Sequence, residues 1–184
     1  MSKIRFLVCG DVKAPQRKHG DAGFDLFVPN YSDEFRLRLI QENNVWDVFD
    51  NELGERNDLT ISKTQIILDP GADIKIPSFI RSLISDDECL RMSNKSGVAL
   101  KQKLLVGAEI IDSSYEGIIN IHVFNVSNHK VSIEFGQKIV QLVPFKINNE
   151  DHEIEFEKDL SVEDFYKDHD HSRGSGGFGS TGLK

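Results

Sequence analysis

Residues 118–125 read IINIHVFN. Ile119, Ile121 and Val123 fall on one face and Asn120, His122 and Phe124 on the other, the two-residue period of a half-buried β-strand. Similar short segments lie on both sides. Residues 64–68 are β-branched and end at Asp69-Pro70-Gly71, a strong turn signal. Ile74-Lys75-Ile76 alternates and stops at Pro77, and residues 79–85, 104–106, 131–135 and 139–146 follow, divided by Gly, Asn, Ser and Pro. Strands recurring about every ten residues, with no βαβ alternation, predict an all-β sandwich or barrel.

Two segments break the pattern. Residues 32–43 (SDEFRLRLIQEN) place a serine before two acids and set Phe35 and Leu39 at helical spacing, which predicts a short helix capped by Ser32. Residues 161–167 predict another, with Ser161 as cap and Asp164 three residues on.

At 184 residues the chain is about one domain long and can bury a core without disulfides or metal. Apolar residues are 39% and charged residues 28%, and no run approaches the roughly 20 apolar residues of a membrane span. The apolar run near the N-terminus is broken by Asp11, too early for a signal peptide. Cys9 and Cys89 lack metal-ligand spacing and read as reduced thiols, so a cytoplasmic location is expected. The net charge of −8 argues against charge-driven binding of nucleic acid. It is concentrated: residues 150–170 hold ten acids and two lysines, whereas residues 171–184 carry only Arg173 and Lys184. A nearly neutral body is thus followed by an acidic stretch and a slightly basic, glycine-rich end.

That end, RGSGGFGSTG (173–182), carries the sharpest chemical signal. Glycines let backbone N–H groups approach phosphate oxygens, Arg173 offers a bidentate cation, Ser180 and Thr181 add donors, and Phe178 offers a flat surface for a base. The stretch lacks the Gly-Lys-Ser/Thr of a Walker loop. In GAEIIDSSYEG (107–117), Asp112 follows two isoleucines and could take a proton from water, and Tyr115 could pack on a sugar; taken alone, the segment fits an ordinary Asx turn with an exposed Tyr better. Ser93-Asn94-Lys95-Ser96-Gly97 reads as a donor-rich polar turn, either an anion site or a plain loop. Gln141 is a polar residue inside an apolar strand, and Asp25, in AGFDLF (22–27), needs a partner if buried. His169 and His171 flank an acid and read as solvated rather than metal-binding.

In order, these segments resemble the five motifs of the trimeric deoxyuridine triphosphatases (dUTPases): AGFDLF motif one, NKSGVA motif two, GAEIIDSSYEG motif three, FGQKIVQL (135–142) motif four and RGSGGFGSTG motif five. The resemblance implies a jelly-roll β domain over residues 1–160, a flexible C-terminal arm over 161–184, and a homotrimer with sites between subunits. One subunit would give motifs one, two and four, a second motif three, and a third the arm. It implies hydrolysis of dUTP to dUMP and pyrophosphate, with Mg2+ held mainly by the triphosphate rather than by direct protein ligands.

By the same resemblance Asp112 activates the attacking water and Gln141 positions it. Lys95, Ser96 and Gly97 hold phosphates, Tyr115 underlies the deoxyribose, and the hairpin near Ile110 and Asn120 binds uracil. Arg173, Gly179, Ser180 and Thr181 close over the phosphates while Phe178 stacks on the base, and Asp25 supports the site from behind. A dCTP deaminase of the same fold is the rival; it would rely on a Glu in place of the Asp112-x-x-Tyr115-x-Gly117 arrangement.

Departures from the family pattern are Lys95 for Arg, Gln137-Lys138 for Asp-Arg, and Glu109 where many members have Gly. The connection 31–61 is longer than usual and carries Phe35, Leu39, Trp46 and Phe49, enough for a small inserted subdomain that could contact a protein partner in a nucleotide-controlled way. Divergence plus an insertion suggests a viral or phage member, which would act in the host cytoplasm.

Overall fold

The computed structural model describes residues 3–44 and 56–147 together with Ser161 and Asp164. Expectations for Trp46, Phe49, His169, His171 and the arm residues Arg173, Phe178, Gly179, Ser180 and Thr181 lie outside the described residues. Contacts divide the chain into Met1–Asn149 and Glu150–Lys184.

The first unit begins with strands β1 (Arg5–Val8) and β2 (Phe24–Phe27), helix α1 (Asp33–Asn43), and strands β3 (Leu59–Ile61) and β4 (Gln65–Leu68). Next come β5 (Asp73–Pro77), β6 (Ile80–Leu83), β7 (Glu88–Asn94), the short helix α2 (Ser96–Gln102) and β8 (Leu104–Val106). The series ends with β9 (Ile110–Ile111), β10 (Asn120–Asn125), β11 (Val131–Glu134) and β12 (Lys138–Lys146). The sheets are ordered β2-β12-β7-β9, β5-β10-β8, β11-β4-β3 and β1-β6, with antiparallel pairing throughout. Neighbours distant in sequence make this a jelly-roll-like all-β architecture.

The alternation read in residues 118–125 holds: Ile119, Ile121 and Val123 are buried while Phe124 is exposed. Asn125 departs from it usefully. Its fully buried carboxamide donates to the carbonyls of Leu68, Asp69 and His129 and accepts from Ser127, tying the β4–β5 turn to the β10–β11 turn. Gly71, at φ +80°, completes the first of those turns.

Helix α1 forms where predicted. The Ser32 hydroxyl accepts from the Phe35 N–H at 3.1 Å, with Asp33 and Glu34 in the first turn, and Asn44 ends the helix in the left-handed region at φ 54°. Its apolar residues do not build a core of their own: Phe35, Leu39 and Ile40 join the common core, and Phe35 packs edge-on against Phe79 and Phe135. Asn43 fastens the helix to the sheet, donating to the Lys75 carbonyl and accepting from the Lys75 N–H, both at 2.8 Å. That amide does for the edge of β5 what a neighbouring strand would do.

In the second unit the predicted cap is present: the Ser161 hydroxyl accepts from the Asp164 N–H at 3.0 Å and pairs with its carboxylate at 2.6 Å. Cys9 and Cys89 are free thiols. Among the described residues no helix is long and apolar enough to cross a membrane.

Candidate active site

Two cavities hold the described site residues singled out in the sequence, Asp25 excepted. The first, about 510 Å³, is lined by Lys95, Ser96, Gly97, Lys101, Lys138 and Gln141 among others. Lys95 follows the end of β7, and Ser96 and Gly97 open α2. The polar turn expected at residues 93–97 is therefore a strand end running into a helix; Val98-Ala99-Leu100-Lys101-Gln102 contains enough helix formers to continue the chain that way.

Gln141 enters this cavity from β12. Its register partners are Asp25 on β2 and Ser93 on β7, and its amide donates to the Asn94 carbonyl at 3.1 Å, which fixes the side chain. A Cβ on Gly23 would lie 2.9 Å from the Leu142 carbonyl and 3.3 Å from the Gln141 amide oxygen, so only glycine lets β2 approach here without displacement.

Asp25 does not line the cavity but pairs with two lysines that do. Its carboxylate, only 18% exposed, is bound by the Lys95 ammonium on one oxygen and by Lys138 at 2.8 Å on the other. Burial alone would raise its pKa, but Lys138 and Lys95 outweigh that and hold the carboxyl below its usual range. Sequence reasoning identified the need for a partner but not the partners. A register shift between Lys138 and Val140 brings Lys138 onto the face of Gln141 and Asp25, and nothing local marks that bulge.

The replaced motif-four residue Gln137 also has work: its amide donates to Gln102 at the end of α2, and its oxygen accepts from the Glu134 N–H, both at 3.0 Å. Lys101, not singled out in the sequence, lines the cavity as its third lysine.

The second cavity, about 200 Å³, brings together Ile110, Asp112, Tyr115 and Asn120. Asp112 follows β9, is exposed, and its carbonyl accepts from the Tyr115 N–H in a tight turn. The Tyr115 hydroxyl donates to the Ile118 carbonyl at 2.9 Å and its ring folds over Gly117, where any Cβ would overlap the phenol. Ile110 is 59% exposed, an apolar surface at the cavity mouth. Glu109 does not disturb the hairpin: its carboxylate pairs with Arg91 at 2.7 Å while its carbonyl accepts from the Met92 N–H at 2.6 Å.

The two cavities are not one site within the chain. Ile111 faces Leu90 on β7, whereas Gln141 faces Ser93 from the opposite side of β7. From strand rise and spacing, the backbones of Asp112 and Gln141 are about 16 Å apart. One water cannot touch both side chains.

Comparisons with known proteins give the family. The dUTPase family model matches residues 58–182. The deoxyuridine 5'-triphosphate nucleotidohydrolase of Arabidopsis thaliana is 33% identical over 90% of this chain and 89% of its own length, and that of Solanum lycopersicum 30% identical over 81% and 82%. In fold, the chain is similar to a dUTPase of Staphylococcus bacteriophage 80alpha, with a TM-score of 0.61 at 19% identity, covering 98% of this chain and 99% of that one. With the family model covering residues 58–182 and relatives at 30% identity or more along most of both lengths, the chain belongs to the dUTPase family.

Proposed function

We propose that this chain carries out the reaction of its family, dUTP plus water to dUMP and pyrophosphate, at sites shared between copies of a homotrimer. The observation that carries this reading is the separation of Asp112 from Gln141, each with its own half-site. A second copy presenting its 107–117 hairpin to the lysine-lined cavity would complete the set.

In that site Lys95, Ser96 and Gly97 hold the phosphate chain and Gln141 accepts a hydrogen bond from the attacking water. Asp112 takes the proton as the water oxygen bonds to the α-phosphorus and the bond from that phosphorus to the bridging oxygen breaks, releasing pyrophosphate. Ile110 and Asn120 border the base, and Tyr115, fixed through Ile118, sets its ring against the sugar where a 2′-hydroxyl would clash. The arm, through Arg173, Phe178, Gly179, Ser180 and Thr181, covers the bound nucleotide and excludes water.

Mg2+ would be carried on the triphosphate. The phosphate cavity is lined by three lysines, and Asp25 is already neutralised by two of them, so the site fits a cation carried on the triphosphate rather than one in a protein cage. Among the described residues no cluster of three or more His, Cys, Asp or Glu offers such a cage. When bound, Mg2+ would stabilise the charge on the triphosphate as the pyrophosphate leaves.

The test is pyrophosphate release from each deoxynucleoside triphosphate with Mg2+. Strong preference for dUTP is expected; equal rates on all substrates would overturn the reading, and ammonia released from dCTP would indicate the deaminase chemistry of the same fold.

A further inference from the structure

Asp25 binds two of the three lysines at the phosphate cavity, and one of them, Lys95, is also the residue placed to meet phosphate. These roles conflict. A carboxylate with 18% of its side chain exposed cannot be left without a cation, and an ammonium is a point charge that turns toward one anion at the expense of another. With Lys95 alone, substrate binding would strip Asp25 of its counter-ion. Lys138 removes the conflict: it reaches the other carboxylate oxygen from β12, is 49% exposed against 24% for Lys95, and is held on the right face by the bulge before Val140.

We propose that Lys138 is a positioning residue that remains on Asp25 while Lys95 turns to the triphosphate, so that it sets substrate affinity without touching substrate. This rests on reading the lysine-lined cavity as the phosphate side of the site. It also accounts for a lysine where the family commonly has arginine. A flexible point charge can follow one carboxylate oxygen as the other loses its partner, and bidentate geometry is not required.

The test is a double-mutant cycle on the full chain, measuring binding of α,β-imido-dUTP with Mg2+ by calorimetry. Lys138→Ala should weaken binding roughly tenfold, because Lys95 stays committed to Asp25. In an Asp25→Asn background the same substitution should change affinity by less than about twofold, since no carboxylate then needs a counter-ion. Equal weakening in both backgrounds would overturn the proposal and make Lys138 a direct phosphate ligand. No weakening in the Asp25 background would overturn it as well. Lys138→Gln serves if the alanine variant melts early. Steady-state kinetics add a second readout, with KM rising and kcat retained for Lys138→Ala. Failure of the unsubstituted protein to bind the analogue would instead remove the phosphate reading itself.

Discussion

Asp112 directly follows β9 and Gln141 lies on β12 of the same four-stranded sheet, yet β7 stands between those strands and about 16 Å separates the two backbones. In the proposed roles of base and water-positioning amide, two side chains so placed would cooperate only across copies. Mixed oligomers of Asp112→Asn and Gln141→Ala chains should therefore regain activity. A site taking Asp112 from one variant and Gln141 from the other is intact, and random mixing of equal amounts makes roughly a quarter of the sites so. Activity of co-refolded mixtures, compared with each variant refolded alone, measures this. A mixture no better than its parents would place both residues in one chain's site.

Asp112→Asn removes the base and leaves the phosphate donors in the other cavity untouched. Turnover of dUTP should fall by roughly two to four orders of magnitude, with binding of the imido analogue changed only slightly. Parallel loss of binding and turnover would make Asp112 a structural turn residue instead.

What could be read from the sequence followed the range of the interaction. The β10 alternation, the Ser32 cap and the Asp69-Pro70-Gly71 turn depend on near neighbours, and each appears as expected. Strand β7 was not read because Glu88, Cys89, Leu90 and Met92 are all buried, so its core-facing pattern does not alternate cleanly. Asp25's need for a cation was legible, but the choice of Lys95 and Lys138 depends on pairing across β2, β12 and β7 and on a bulge. The described motif residues Lys95, Ser96, Gly97 and Gln141 line one cavity, and Ile110, Asp112, Tyr115 and Asn120 line the other. Their division into two cavities is a property of the sheet order, which no single motif encodes.

Helix α1 behaves as part of the core and not as an appendage. Phe35 is 1% exposed and stacks edge-on against Phe79 and Phe135 at 5.7 and 5.9 Å. Phe35→Ala should cost about 3–5 kcal/mol in chemical denaturation. A cost below about 1 kcal/mol would mean that the segment is independent of the β body and free to be removed.

Gly117→Ala should impair sugar discrimination more than folding. The new methyl overlaps the Tyr115 phenol, so the ring must leave its place and give up the bond to the Ile118 carbonyl. The ratio of kcat/KM for dUTP over UTP should drop by roughly tenfold or more, while the melting temperature shifts by a few degrees. An unchanged ratio would show that Tyr115 does not exclude the ribose hydroxyl.

Among the described residues the carboxyls of Asp25, Asp58 and Asp87 are held below their usual range, and the two that are partly buried, Asp25 and Asp58, add stability that acid removes. Asp58 is held below its usual range by its bond to Arg56, and Asp25 by Lys138 and Lys95 against the opposing effect of burial. A carboxyl whose pKa is lower folded than unfolded stabilises the fold fully above its unfolded value, about 3.9 for Asp. That contribution is lost as pH falls through the folded value. Thermal melts of the unsubstituted protein should therefore be nearly level from about pH 5 to 7 with respect to these groups, and fall steeply below about pH 4. Asp25→Asn abolishes one of the two titrations, so its melting curve should decline less steeply over the acid range even if it starts lower at neutral pH. An acid slope identical to that of the unsubstituted protein would mean that the two lysines do not perturb Asp25 in solution.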